Sequence, residues 1–481
     1  MAFGRWFPVV AASMGIFFLV VSCFAEKAPY TSFAKDATLN GPTLSASAKA
    51  LLLERGGLPY DYPNMTHITG FPATLAGTSP NSASQLFVST DDVFNHWGRV
   101  LGSSSAINRG FFTHASREYS YEWVERKVAF QPRVLAWQAA VRDGLLEARV
   151  LPYRGFTFEH LHGTKIGGSI FYENGYRHAT ADLLDYADPS RITVYLRAKA
   201  QQILFRILPG QKPKAFEVFF QDSNGIKHLA YLTNEPTSEI ILCAGALGNP
   251  QLLMLSVILD QPMVRKGMFD NPMNAVMVPS TRSLEMSLIE VVGITDVGSY
   301  IEAASGFMQL GWAHRMAQDF ANFPWTILTT LTLPEAAGGS ALYQNSDIQA
   351  GIILEKVMDP RDLQRCVEGM EIIRKVVESQ PLSTFRYPFT SFQSLMNLML
   401  SLPINLRRKE LTASYSLEQF CTDTVMTIWH YHGGCQVNKV VDHDHKVLGV
   451  DALGVVDGSM FYNSLGTNPQ ATVMMIGRYM G

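Results

Sequence analysis

The residues best equipped for chemistry lie near the carboxyl end. Trp429-His430-Tyr431-His432-Gly433-Gly434 follows Thr424, Val425, Thr427 and Ile428, and this β-branched run predicts a strand that carries its histidines toward a glycine-lined space. A neutral imidazole titrates close to neutrality and is the side chain best suited to take a proton from a hydroxyl group. A lone histidine is more often a satisfied structural residue, but two at i and i+2 beside a diglycine leave both readings open. Downstream come Val455-Val456-Asp457-Gly458-Ser459 and Gly466-Thr467-Asn468-Pro469-Gln470-Ala471-Thr472. A helix opening at Pro469 would present free N–H groups and the positive end of its dipole to a negative ligand group, or would simply be capped by Asn468 or Thr467.

Two segments nearer the amino end could face a ligand. Ala50-Leu51-Leu52-Leu53-Glu54-Arg55-Gly56-Gly57 predicts a short apolar strand that ends at an acid and a glycine turn. A carboxylate there can accept from ribose hydroxyls in a nucleotide-binding sheet, although buried strands often end at a solvated Glu. Gly98 to Gly110 (GRVLGSSSAINRG) is dense in small residues. Such a loop lets backbone approach a ligand closely, or is only a tight turn leading into a helix. Glu159-His160-x-His162 and Asp442-His443-Asp444-His445 look like metal clusters, but neither has a zinc spacing with a distant third ligand, so no metal site is expected. The second cluster reads as a hairpin turn between Val440-Val441 and Val447-Leu448.

The elements that must hold these residues are legible in part. Residues 121 to 150 carry helical periods interrupted at Pro132. Leu196 to Phe205 and Ala215 to Phe220 are expected to pair as strands, with Asp222-Ser223-Asn224-Gly225 as a turn. Ser238 to Leu242 predicts a strand that meets small residues before a helix from Pro250 through Met254. Arg361 to Glu378 places Leu363, Cys366, Val367, Met370, Ile373, Val376 and Val377 at helical spacing, the stripe of a core helix. Between 310 and 350 no period is clear, and no internal repeat appears.

Composition sets the outer bounds. A chain of 481 residues, 47% hydrophobic and 17% charged, is a globular protein of two domains or one large interleaved body. A net charge of −3 with scattered signs leaves no footprint for nucleic acid or an anionic membrane. Arg5, the apolar run Phe7 to Val21 and the Cys23-Phe24-Ala25 end read as a secretory signal over 1–25, with an uncleaved anchor as the rival. No later segment is apolar enough to span. Secretion permits disulfides among Cys243, Cys366, Cys421 and Cys435, with Cys421–Cys435 nearest in sequence and four buried thiols as the alternative. Asn64-Met65-Thr66 is the one glycosylation sequon.

Taken in order, LLLERGG, GRVLGSSSAINRG, IILCAGALGNPQLLMLS, WHYHGG, VVDGS and GTNPQATVMMIGRYMG resemble the glucose-methanol-choline (GMC) oxidoreductases, in particular the plant branch of HOTHEAD-like proteins and mandelonitrile lyases. The resemblance runs from Leu51 to Gly481 and is weakest around 310 to 350. It implies an α/β (α+β) fold: a Rossmann-like FAD domain assembled from discontinuous segments, and a substrate domain on an antiparallel sheet. The expected division is an extended tail at 26–50, the FAD domain at 51–260, the substrate domain at 261–420 and a catalytic, FAD-binding segment at 421–481.

The resemblance also implies residue roles. Glu54 and Arg55 match the adenosine-binding strand end; Val100, Ser104, Asn108, Gly110 and Phe111 match the cofactor loop. Trp429 and His430 match the catalytic strand, and Asp457, Gly458, Pro469 and Gln470 match late flavin contacts. His430 is the expected base for a small-molecule alcohol that passes hydride to flavin N5, and Asn468 is expected to hold the alcohol oxygen. The mandelonitrile lyases of this branch place a second His where Asn468 stands, so oxidation is the favoured reading over cyanohydrin cleavage. Three departures stand out. Family members carry a strand, a G-x-G-x-x-G loop and a helix before LLLERGG, whereas residues 26 to 50 hold Gly41 alone. The Ser-Gly-x-Gly continuation after Ser256 is replaced by Val257-Ile258-Leu259, and the chain is compressed near Asp359-Pro360-Arg361.

Overall fold

A computed structural model describes residues 33–34, 50–76, 79, 81–89, 92–114, 119–233, 235–281, 284–305, 325–332, 360–409 and 415–480. The signal segment 1–25, nearly all of the 26–50 tail including Gly41, and most of 310–350 lie outside the described residues, as does Asp359. The largest sheet has seven strands, in the order Met426–Thr427, Pro272–Pro279, Trp325–Thr332, Ser299–Ser305, Val291–Ile294, Gly163–Ile166 and Tyr153–Phe156. All neighbours are antiparallel except the last pair. Helices Ala136–Glu147, Pro360–Glu378, Phe392–Ser401 and Leu417–Asp423 contribute to the main hydrophobic core with this sheet. The stripe read from Arg361 onward is that core face: Cys366, Met370, Ile373, Val376 and Val377 are buried.

The parallel part is smaller. Ala50–Glu54 pairs in parallel with Ile192–Leu196, which also takes the two-residue strand Phe33–Ala34. Ile240–Leu242 pairs in parallel with Leu453–Val455. Among the described residues these remain separate sheets, with Ala50–Glu54 and Ile240–Leu242 each at an edge. Parallel strands are normally covered on both faces. Here Leu51 is 43% and Ile241 48% exposed.

Local expectations hold in several places. Tyr119–Val128 and Ala136–Glu147 flank Pro132. Lys199–Arg206 and Lys214–Gln221 pair antiparallel, and Asp222 accepts from Asn224 and Ile226 to close the next turn. Asp442 likewise accepts from the backbone of Asp444 and Lys446, which makes that acidic-histidine cluster a turn.

Two expectations fail. The helix expected from Pro250 begins at Gly245 and runs to Met254, with Pro250 inside it. Its amino end is set by a distant group, since Asp457 Oδ2 accepts from Gly245 N at 2.7 Å. The disulfide joins Cys366 to Cys421, not Cys421 to Cys435, while Cys243 and Cys435 are free. Cys366 and Cys421 sit on two helices that pack in the main core, whereas Cys435 belongs to a different core around Val440 and Leu453. Nearness in sequence lost to helix packing.

Candidate active site

His430 sits just beyond the two-residue strand Met426–Thr427, after Trp429 at φ +63°. Asp270 fixes this turn. Its carboxylate accepts from His430 N at 2.8 Å and from the Thr427 hydroxyl. The diglycine is required by space: a Cβ on Gly433 would lie 2.0 Å from the Gly267 carbonyl oxygen, and its φ is +80°. The His430 ring is clasped by two amides, Asn271 Nδ2 at 2.9 Å from Nδ1 and Asn468 Nδ2 at 3.3 Å from Nε2. Burial pushes the His430 pKa down to about 4, against the pull of Asp270, so the ring is neutral at ordinary pH. His432 is different. Its Nδ1 donates to the His430 carbonyl at 2.8 Å and its ring stacks on Phe269, so it braces the turn.

Asn468 precedes the helix Gln470–Met480, and its Oδ1 is buried with no hydrogen-bond partner, as are Thr467 Oγ1 and Gln470 Nε2. Across from them lies the loop 98–110. Asn108 donates to the Gln470 side-chain oxygen and accepts from Gly110 N at 2.8 Å. Arg177, missed in the sequence, clamps this loop by donating to Asn108 O at 2.7 Å, Asn108 Oδ1 at 3.0 Å, Ser105 O at 3.2 Å and Met65 O at 3.0 Å. Asp270 and Asn271 were also missed. The β-branched and Gly-Pro patterns used to find the site do not mark a side chain delivered by a distant strand. Asp270-Asn271, immediately before the strand that opens at Pro272, is the one signal that could have drawn attention.

The other expected residues divide by location. Glu54 ends its strand and accepts from Gly56 N at 2.6 Å, while burial raises its pKa. Arg55 lies over the Trp97 ring at 3.7 Å and donates to Gln85 at 3.1 Å. A Cβ on Gly56 would lie 2.1 Å from the Arg99 carbonyl oxygen, so the strand end and the loop touch backbone to backbone. Val100 bridges Gly57, and the Ser104 hydroxyl accepts from Gly98 N at 3.4 Å. Phe111 is a core residue beside Tyr300. Asp457 braces the fold: besides Gly245, it accepts from Asn249 Nδ2 at 2.7 Å and Ser459 N at 2.8 Å. Gly458 opens the short turn that follows, and the Pro469 carbonyl accepts from Val473 N at 2.9 Å in the first helical turn.

Beside Trp429 and Thr427 lies a small pocket walled by Met273, Met277, Met399 and Met426, with Phe94 and Arg109. Methionine makes such a wall apolar and adaptable.

Comparison with known proteins decides what this arrangement belongs to. Residues 344–477 match the family model for the carboxyl-terminal region of GMC oxidoreductases. The HOTHEAD protein of Arabidopsis thaliana is 42% identical over 91% of this chain and 84% of its own length. An (R)-mandelonitrile lyase-like protein of the same plant is 40% identical over 91% and 86%. A sinalpyl alcohol oxidase of Nesocodon mauritianus is 34% identical over 91% and 85%. The chain belongs to the GMC oxidoreductase family. Solved structures agree on the fold: pyridoxine 4-oxidase of Mesorbium loti superposes with a TM-score of 0.67 at 16% identity, over 90% of this chain and 93% of that one. A formate oxidase gives 0.69 at 15%, over 90% and 92%.

As a GMC oxidoreductase the chain uses FAD, and its described residues fit that group at two places. The buried, unpartnered Gln470 Nε2, Thr467 Oγ1 and Asn468 Oδ1 supply donors and acceptors of the kind a flavin ring edge requires. Glu54, at the carboxyl end of a parallel strand, suits a ribose diol.

Proposed function

We propose that this GMC oxidoreductase oxidises the CH–OH group of a small-molecule alcohol, with His430 as the base. The observation that carries the reading is the buried, neutral His430 ring with its Nε2 3.3 Å from the Asn468 amide. A hydroxyl bound there meets a proton acceptor and an amide together. Fixing both groups beforehand saves the entropy of assembling them. FAD, when bound, supplies the hydride acceptor. Asn108, Gln470 and Glu54 would hold it, with Arg177 keeping Asn108 in place. The methionine-walled pocket would take the apolar body of the alcohol and exclude water from the reacting carbon.

The proposal includes entry into the secretory path through residues 1–25, with Asn64 as a glycosylation site. Asn64 is exposed in the structure, as a glycan needs. No described helix is long and apolar enough to cross a membrane. Nucleic acid is not a partner in this reading, given the scattered charge.

The test is anaerobic bleaching of the flavin absorbance by a panel of aliphatic and aromatic primary alcohols. Bleaching is expected in the FAD-loaded chain and lost in His430→Ala that still carries flavin. Flavin that no alcohol reduces would overturn the reading. The (R)-mandelonitrile lyase-like relative at 40% identity favours one alternative, cleavage of a cyanohydrin. Cyanide release from mandelonitrile without flavin bleaching would establish it instead.

A further inference from the structure

Among the described residues, four side chains with N–H or O–H groups line the methionine-walled pocket: His96, Arg109, Thr427 and Trp429. Two of them are spoken for. His96 Nδ1 lies 2.9 Å from the Ser84 hydroxyl, and the Thr427 hydroxyl donates to Asp270. The other two are not: Arg109 Nε and Nη1 and Trp429 Nε1 are buried donors without a hydrogen-bond partner. The rest of the wall is methionine, phenylalanine, alanine and isoleucine, whose side chains offer no oxygen to accept from them. A buried N–H left without an acceptor forfeits its hydration and gains nothing in return, and a guanidinium forfeits the most. Unpaired donors of two residues on one small pocket therefore describe what its occupant must bring. Both residues also adjoin the reaction centre. Arg109 follows Asn108, whose amide donates to the Gln470 side chain, and Trp429 immediately precedes His430.

We propose that Arg109 and Trp429 determine specificity by selecting an alcohol that carries a hydrogen-bond-accepting oxygen, of an ether, carbonyl or carboxylate, at the end remote from its CH–OH group. The inference rests on the reading of this site as one that oxidises an alcohol, and it names the kind of alcohol. With its hydroxyl at His430 Nε2 and its remote oxygen at Arg109 and Trp429, such a substrate is held at both ends. The unbranched methionine side chains adapt to the contour of what lies between. An alkyl chain of the same shape would cover the two donors and leave them unpaired. A site built to hydrogen-bond its ligand rejects an analogue lacking the partner for that reason.

The test compares matched alcohols on the full chain loaded with FAD. 5-Methoxypentan-1-ol and heptan-1-ol share length and shape, and the ether oxygen is too far from the carbinol to alter its reactivity. Hydrophobic burial alone favours heptan-1-ol. The inference expects the reverse: kcat/KM for the ether should exceed that for heptan-1-ol by about tenfold or more at the best-fitting length of the homologous series. 6-Hydroxyhexanoate supplies the anionic acceptor. A larger advantage for it would identify a carboxylate as the preferred group, and a larger advantage for the ether a neutral oxygen. In Arg109→Met the advantage should fall to near one or reverse, while Arg109→Lys, which keeps a cationic donor, should retain part of it. Isothermal titration calorimetry with the matched aldehyde products reads the same preference without turnover. Heptan-1-ol oxidised as well as both oxygenated alcohols across the series would overturn the inference and leave the alcohol reading standing, the two donors then holding water. An advantage unchanged in Arg109→Met would also overturn it; should that variant not fold, the wild-type comparison decides. An acceptor preference in binding that follows Arg109, in a protein whose flavin no alcohol reduces, would uphold the inference and sink the alcohol reading alone.

Discussion

At the scale of single residues, the site works through what surrounds His430. Burial lowers its pKa to about 4. The sign follows directly: the ring is protonated and useless as a base below that pH and neutral above it, so kcat/KM should collapse near pH 4 and not near the 6.5 of an ordinary histidine. A pH profile of alcohol-dependent flavin reduction measures this. His430→Ala should lower kcat by roughly 10²–10⁴ while leaving flavin bound, because the ring supplies proton transfer and not cofactor contacts. Stopped-flow reduction together with the absorbance spectrum separates the two effects.

At the scale of elements, two long-range ties hold the site together. The Cys366–Cys421 disulfide closes a separation of 55 residues between two core helices that pack behind the catalytic turn. Replacing both cysteines by serine should cost about 2–5 kcal/mol in urea unfolding. Cys243→Ser should cost far less, since that thiol is free. Peptide mapping without reduction should recover the 366–421 pair and no 421–435 pair. Arg177 is the second tie, a buried cation that donates three times to Ser105 and Asn108 of the loop and once to the Met65 carbonyl. Arg177→Ala leaves those neutral acceptors unpaired, at about 1–3 kcal/mol each. It should also weaken FAD retention through Asn108, as read by fluorescence of released flavin on dilution.

At the scale of the whole molecule, the antiparallel and parallel parts differ in how far their strands join among the described residues. The antiparallel sheet and its helices form one continuous core behind His430. The parallel strands stand as two separate groups among the described residues, with Leu51 and Ile241 part-exposed. Residues 26 to 50 hold no second glycine to build a pyrophosphate loop. FAD should therefore dissociate readily, with flavin lost from the protein peak on gel filtration at low concentration. Replacing residues 26–49 by a strand, a G-x-G-x-x-G loop and a helix should restore retention and raise the melting temperature. A native chain that keeps stoichiometric flavin through dilution would contradict this.

The sequence by itself determined the local elements and the ancestry. Alternation, turn residues and helical spacing are short-range signals, so Ala50–Glu54, the paired strands at 199–221 and the core stripe of 360–378 were readable, and the ordered motifs led to the GMC family. Tertiary structure alone decided which distant groups meet. The helix at Gly245 starts where it does because Asp457 caps it from more than two hundred residues away. Cys366 found Cys421 because two helices pack, and His430 acquired Asp270 and Asn271 as neighbours because strands far apart in sequence lie side by side. Such contacts carry no period or spacing along the chain, since they are set by how the sheet and its helices close on one another.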